Sequence, residues 1–529
     1  MNGIGVRAAN FSMPSKRQIL RSSMVVGFFS LLGGLTGILV DTSIAAKLGL
    51  SRSSDTFYVA FTVPYIITNL IAATGQFSLV PFFSALDTRH AAEELWRGFS
   101  YAVTMSFLGL AGIAALGAAG APWLMRGIAP GITASQAQHA AHLGRWLFVI
   151  IIPAGVSEVL RSFLLSRRRF AISSATGFIR NAAVVASIIV LFPRYAEYSI
   201  VLGYVCGYLL QFVILGGQIV LSFPVRYSLT LVGSGEAFRN LRGAGTAQIG
   251  GALSWQGVVV AERIIASFLA PGTITALNWG FKIMASVAEL LAGSVGTVAL
   301  PAISRAVAQR AKEEVARLFR DMLEISLALV SPAMVFCLLL DRNIIRLIFQ
   351  RGQFTAESTD LMTMVFFWYS VSLLLYSFVR VFTFYLFARN ESGLFFRFCV
   401  AQYGLNVAFD LLYVGLLRLG ARGIPLGLLT SLIVTVGLTY WRNLADLKDL
   451  FGRALGLFTL KNLLGGGLAG VAVWGLAFWL GPPSTGARNF LFLCFVCGVG
   501  SAVFYAVLGA TRAVPLARLK AVLARSEED

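Results

Sequence analysis

Asn406 and Asp410 stand four residues apart in the string NVAFD, inside a long apolar run. In a helix that spacing puts an amide oxygen and a carboxylate on one face, two hard oxygen ligands side by side. A carboxylate at bilayer depth demands a cation, a proton or a basic partner. Glu262, in the string VVVAERIIASFL, offers a third group, and Thr430 is a weaker fourth candidate. These residues predict a site for a monovalent cation or a proton; the alternative is a polar network that only locks helices together. Further ionisable residues interrupt apolar runs: Asp41, Asp55, Arg145, Glu158, Arg161, Arg180, Arg263, Lys282, Glu289 and Arg380. Each costs roughly 2.5–3.5 kcal/mol at the centre of a spanning helix, so the cost must be offset or used. Glu158 and Arg161 lie three apart, neighbours on one helix face that can neutralise each other. Arg145 and Arg380 are placed to snorkel. Cys494 and Cys497 form a C-x-x-C with no second Cys pair or His beside it, which reads as small packing residues.

The elements that must position these groups follow from composition. The 529 residues are 57% hydrophobic and 13% charged. Soluble domains carry about 25% charged residues, so the chain reads as an all-α polytopic membrane protein. Its net charge of +19 does not point to nucleic acid, because the Lys and Arg sit in short segments between apolar runs. Apolar stretches of bilayer length number about 14: 23–48, 55–83, 99–121, 142–165, 171–192, 198–222, 246–269, 274–303, 319–340, 361–388, 393–417, 422–440, 459–480 and 488–511. With a cytoplasmic amino terminus, about 27 of the 43 basic residues fall inside and about 10 outside, and both termini are cytoplasmic. The run RAVAQRAKEEVARLFR, Arg305 to Arg320, reads as one interfacial helix. No loop is long enough for a catalytic domain, so the chain reads as a transporter and not an enzyme.

An internal duplication is visible. One stretch ends its long span at Pro81 and Ser84, a later one at Pro301 and Ser304. At the same spacing Ala46 pairs with Ala266, Phe61 with Phe281, Leu70 with Leu290 and Ala72 with Ala292. Two six-helix bundles related by pseudo-twofold symmetry, plus two trailing helices, are therefore expected, with a substrate path between the halves. The corresponding segments are a basic amino terminus (1–22), first bundle (23–222), cytoplasmic linker (223–245), second bundle (246–440), two additional helices (441–511) and cytoplasmic tail (512–529). Glycine clusters such as Gly33-Gly34 and Gly250-Gly251 read as close helix packing.

The strings SDTFYVAFTVP (54–64), FSLVPFFSAL (77–86), IIASFLAPGTITALNWGFKIM (264–284), GSVGTVALPAISRA (293–306), NIIRLIFQRGQFTAEST (343–359) and NVAFD (406–410) carry a family resemblance over nearly the whole chain. It resembles the MviN/MurJ family of lipid II flippases, within the multidrug/oligosaccharidyl-lipid/polysaccharide exporter superfamily. The resemblance implies export of an undecaprenyl-pyrophosphate-linked saccharide across the bacterial inner membrane by alternating access. Lipid II, a peptidoglycan precursor, is the default substrate. A monomeric transporter among membrane lipids, working with cell-envelope synthesis proteins, is the expected state. The family's basic residue in the eighth span falls on Lys282, its acidic residues in the first two spans on Asp41 and Asp55, and its sodium site on Glu262, Asn406 and Asp410. Na+ or H+ is thus the implied coupling ion. The chain departs from the pattern in its first two spans. Gly34, Val40 and Thr68 or Asn69 stand where the family has arginines. A pyrophosphate needs several donors, and Lys282, Arg263, Arg161 and Arg180 are the candidates to supply them. Two other readings stay open: a flippase for another lipid-linked oligosaccharide, of exopolysaccharide or O-antigen type, and a cation-coupled exporter of small amphipathic compounds.

Overall fold

The computed structural model describes residues 16–89, 92–231, 246–389, 391–442, 453–481 and 486–511. The amino terminus before residue 16, linker residues 232–245 and the tail 512–529 lie outside the described residues. Helices dominate, with no strand among the described residues. Among the described residues, eight precede the linker: α1 (Lys16–Leu48), α2 (Arg52–Thr74), α3 (Val80–Arg89), α4 (Ala92–Ile128), α5 (Ala134–Val149), α6 (Ile151–Ser166), α7 (Phe170–Tyr195) and α8 (Tyr198–Ser222). Eleven follow among the described residues: α9 (Thr246–Ala266), α10 (Thr273–Ala288), α11 (Ser294–Ala308), α12 (Lys312–Leu339), α13 (Asp341–Phe349), α14 (Ala356–Val371), α15 (Leu373–Ala388), α16 (Ser392–Asp410), α17 (Gly423–Arg442), α18 (Arg453–Leu480) and α19 (Gly486–Ala510). Three short π-helical segments interrupt them, at Gly75–Leu79, Glu289–Gly293 and Leu411–Leu416. A π turn holds one residue more than an α turn and is found mostly as a single bulge.

Among the described residues, 12 helices are long and apolar enough to cross a bilayer, and 13 if α14 and α15, bent by 49° between them, count as one span. The remaining predicted span, 246–269, is helical as α9 but outside that apolar class. Gln256, Glu262 and Arg263 are its polar load. The predicted crossing 142–165 lies within residues 134–166, which are split at Ile150 into α5 and α6. Pro153 has no N–H to give the Val149 carbonyl, and the helix breaks there. The interfacial helix expected over 305–320 does not form. Its first residues complete α11, Arg310 turns the chain with φ +58, and Lys312 opens α12, a helix that continues to Leu339.

The described chain falls into two compact units, each assembled from separated stretches. The first unit draws on Met1–Asp41, Thr74–Ala115 and Val149–Ala244. Its core is an aromatic knot around fully buried Phe163, with ring centroids of Phe99, Phe83 and Trp96 at 4.9, 5.5 and 5.6 Å. Leu95, Leu215 and Ile219 close the cluster.

The second unit draws on Thr42–Ala73, Leu116–Phe148 and Gly245–Asp529. Phe458, Ala469, Phe504 and Leu508 of α18 and α19 pack on Ala328 of α12, and Asn462 donates to Ser331 beside them. The R-G-x-F-T string finds its purpose here. Gly352 has φ +58, and a Cβ there would lie 2.2 Å from the Ala46 carbonyl oxygen. Gln353 N–H donates to that same oxygen at 2.9 Å. Phe354 is buried against Phe349 and Trp279, and Thr355 caps α14 by accepting from Ser358 N–H at 3.3 Å. Glycine is required because the loop backbone must both turn left-handed and touch the end of α1.

Candidate functional site

In the second unit, α16 carries Asn406 and Asp410 on one face, and both are buried, 1% and 0% exposed. Asn406 Nδ2 donates to Asp410 Oδ2 at 3.0 Å, and Ser431 Oγ of α17 donates to Asn406 Oδ1 at 3.3 Å. Glu262 of α9 hydrogen-bonds the same Asn406 side chain, and its charge acts on Asp410. The structure thus gathers the three groups that the sequence proposed together. Asp410 Oδ1 is buried and has no donor among the described residues. Its room comes from Gly427, where a Cβ would stand 1.9 Å from that oxygen. Thr430 lies one turn further along α17. Its hydroxyl hydrogen goes to the Leu426 and Gly427 carbonyls at 2.9 and 3.2 Å, which leaves only oxygen lone pairs for ligation.

An orphan carboxylate oxygen in a glycine-made cradle, with a second carboxylate acting on it and the Asn406 amide holding its partner oxygen, fits a small hard cation or a proton. It does not resemble a transition-metal centre. No cluster of three His, Cys, Asp or Glu with that capacity exists among the described residues. Cys494 and Cys497 of the C-x-x-C are free thiols.

The residue after Glu262, Arg263, is buried and engaged inside the protein. Its Nη1 donates to the Ile274 carbonyl at 2.8 Å and its Nη2 to Asn278 Oδ1 at 2.7 Å. Its charge faces Glu262, Asp55, Tyr58 and Tyr369. Asp55 has an equally definite task. Its carboxylate accepts from Gly272 N–H (2.6 Å), Thr275 N–H (2.9 Å) and Thr275 Oγ1 (2.7 Å), capping the start of α10. Trp279 Nε1 donates to Tyr58 Oη at 2.6 Å one turn later. Arg263 and Asp55 are therefore engaged with α10.

Lys282 projects from α10 as an exposed side chain within a span. Seven residues on, Glu289 begins the π segment and pairs with Arg380 of α15. Arg380 does not snorkel to a headgroup as its place in the sequence suggested. A carboxylate on another helix holds it. Gly293 makes space for that acid, since a Cβ there would fall 2.7 Å from Glu289 Oε1. Arg145 is exposed on α5.

In the first unit, Arg161 grips Glu158 with two bonds, Nε–Oε2 at 2.8 Å and Nη2–Oε1 at 2.6 Å, the mutual neutralisation expected of their spacing. The Glu158 carboxylate lies over Gly75, the first residue of another π segment, where a Cβ would come within 2.1 Å. Arg180 sits over the Tyr208 ring at 5.1 Å, and Asp41 is buried. Each unit thus contains a π segment whose glycine admits a glutamate paired to an arginine. No sequence feature announces this. The Glu289–Arg380 partners are 91 residues apart, and a π turn has no propensity signature of its own.

The chain is similar to known proteins over most of its length. The family model described as Lipid II flippase MurJ matches residues 44–491. A Lipid II flippase MurJ from Burkholderia cenocepacia is 24% identical over 371 residues, covering 67% of this chain and 70% of its own length. A probable lipid II flippase MurJ from Vibrio cholerae is 22% identical over 526 residues, covering 94% of this chain and 97% of its own. Among solved structures, a lipid II flippase MurJ in an inward closed conformation superposes with a TM-score of 0.74 at 19% identity, over 92% of this chain and 99% of that one. An inward-facing multidrug resistance MATE family transporter of the MOP superfamily follows at 0.66 and 13% identity, over 80% and 99%.

Proposed function

Because the chain belongs to the lipid II flippase MurJ family, we propose that it moves an undecaprenyl-pyrophosphate-linked saccharide, lipid II by default, across the bacterial inner membrane by alternating access. The observation that carries the reading at residue level is Lys282. It is a cation exposed within a span, at the position where the family resemblance implies a basic headgroup contact. Lipid hydrocarbon does not tolerate such a charge, so an exposed ammonium here suits a water-accessible path and a pyrophosphate ligand. The reaction makes and breaks no bond in the substrate. The protein works as a monomer with both termini cytoplasmic, its partners the lipid-linked substrate, the bilayer lipids and the cell-envelope synthesis proteins around it.

Glu262, Asn406 and Asp410, with Thr430 at the rim, hold the coupling ion, Na+ or H+. A bound cation offsets the two carboxylate charges that burial makes costly. The residues themselves set the geometry: Asn406 orients Asp410 Oδ2, and Gly427 leaves Oδ1 open. Asp410→Asn is expected to remove most of the sodium-dependent gain in thermal stability of the purified protein. An undiminished sodium response would eliminate this site.

One observation favours a second glycan. Gly34, Val40 and Thr68 or Asn69 replace three family arginines, and the described residues place Arg161 and Arg263 in contacts of their own. A flippase for another polyprenyl-linked oligosaccharide follows from that reduced charge. The deciding experiment replaces the native lipid II flippase of a depletion strain with this chain. Growth supports lipid II, whereas lysis with correctly inserted protein assigns another glycan. In the rescued strain Lys282→Ala should abolish growth while changing folding stability by no more than about 0.5 kcal/mol, the scale of an exposed substitution. Full growth of that variant would remove Lys282 from the mechanism.

A further inference from the structure

Trp255 of α9, Phe281 of α10, Tyr376 of α15 and Tyr403 of α16 converge in the second unit. Trp255 lies 5.1 Å from Phe281 and 5.3 Å from Tyr403, and Phe281 lies 5.9 Å from Tyr376. None of the four rings is fully buried. The Glu289–Arg380 pair borders them: Tyr376 faces both charges, and Tyr403 faces Arg380. Side-chain exposure is 57% for Glu289 and 35% for Arg380. An ion pair that open, in the middle of a helical crossing, cannot be turned to hydrocarbon and must meet water or a polar ligand.

The chemistry of this corner discriminates between ligands. A carboxylate repels a pyrophosphate, so Glu289 does not belong to an anion site. Aromatic faces beside one donor and one acceptor suit a neutral pyranose, which has an apolar C–H face and a hydroxyl edge. Glu289 accepts from a sugar hydroxyl and Arg380 donates to one, both as charge-assisted bonds. Lys282 lies two helical turns before Glu289 on the same face of the crossing, about 10 Å along the axis. That is a span over which a pyrophosphate and the sugar attached to it can be held at once. The cradle at Gly293 shows that the protein makes room for the Glu289 carboxylate in this orientation.

We propose that Trp255, Phe281, Tyr376 and Tyr403, edged by Glu289 and Arg380, form a saccharide subsite that receives the sugar nearest the pyrophosphate, while Lys282 receives the pyrophosphate itself. This rests on the reading of the chain as a flippase for lipid-linked saccharides. The test uses full-length protein in lipid nanodiscs and two probes, lipid II and undecaprenyl pyrophosphate, which lacks the sugar. The wild-type protein should bind lipid II at least about tenfold more tightly, a 1.4 kcal/mol preference. Trp255→Leu and Glu289→Gln should each remove that preference, Trp255→Leu leaving undecaprenyl pyrophosphate binding unchanged and Glu289→Gln leaving it no weaker. Lys282→Ala should weaken both probes alike. Glu289→Gln alters an exposed side chain, so it keeps the test decisive if Trp255→Leu fails to fold. A wild-type protein that binds both probes equally, or variants that weaken both equally, would overturn the subsite and leave the flippase reading standing. A wild-type protein that binds neither would overturn the flippase reading, and the subsite with it.

Discussion

Gly427→Ala is expected to abolish the sodium response and transport together. The added methyl would lie 1.9 Å from Asp410 Oδ1 and 3.0 Å from its carboxyl carbon, so the carboxylate has to swing away. Swinging breaks the 3.0 Å bond from Asn406 and takes Oδ2 out of register with Glu262. Overpacking of this kind costs about 1–3 kcal/mol, against about 1 kcal/mol gained by replacing glycine in a helix interior. A net loss of stability is therefore expected. Gly437 on the same helix supplies the control, because nothing lies within 4 Å of a Cβ built there. Gly437→Ala should be neutral or slightly stabilising, with the sodium response intact. Thermal unfolding with and without sodium checks both variants. Identical behaviour of the two would show that the space at Gly427 has no connection with Asp410.

The second large effect belongs to Asp55. Its removal strands two buried backbone N–H groups at the start of α10 and leaves the buried Thr275 hydroxyl only Ser54 Oγ, at 3.1 Å. A helix start already has donors in excess of acceptors, and burial prevents water from replacing the lost ones. Asp55→Ala should cost about 3 kcal/mol of stability. Pairing it with Thr275→Val in a double-mutant cycle should show a coupling of about 1–2 kcal/mol. Denaturant unfolding of the four proteins in one detergent measures it. Additive losses would mean that the carboxylate and Thr275 do not share an interaction. Transport should fall as well, because α10 is also the helix that carries Lys282.

What could be read in the sequence divides along physical lines. Spans were legible because bilayer thickness imposes a length that folding cannot evade. Glu158–Arg161 was legible because both partners sit on one helix, where spacing is geometry. Asn406, Asp410 and Glu262 came together because a buried carboxylate constrains its neighbours strongly. Arg380 was misread because its partner lies on another helix, and distance along the chain carries no information about that. Gly427, Gly293 and Gly75 were invisible for a different reason. In a span, glycine reads as helix packing, and only the structure shows a carboxylate over each of these three. The expected interfacial helix over 305–320 failed because amphipathic charge does not reveal a single left-handed residue, Arg310, which ends one helix and lets the next begin.

The three π segments have one more implication. Each adds a surplus residue to its crossing, so the side chains before and after it are phased differently from those of an uninterrupted helix. One lies beside Glu158, one contains Glu289, and one directly follows Asp410. Excising a single residue from 289–293 would restore unbroken α geometry. It would leave Lys282 where it is and turn everything downstream, Pro301 included, by about 100° around the axis. A crossing built this way can be re-aimed by one residue without changing what it is made of. In this chain those points of adjustment coincide with the carboxylates that have the most to gain from being aimed.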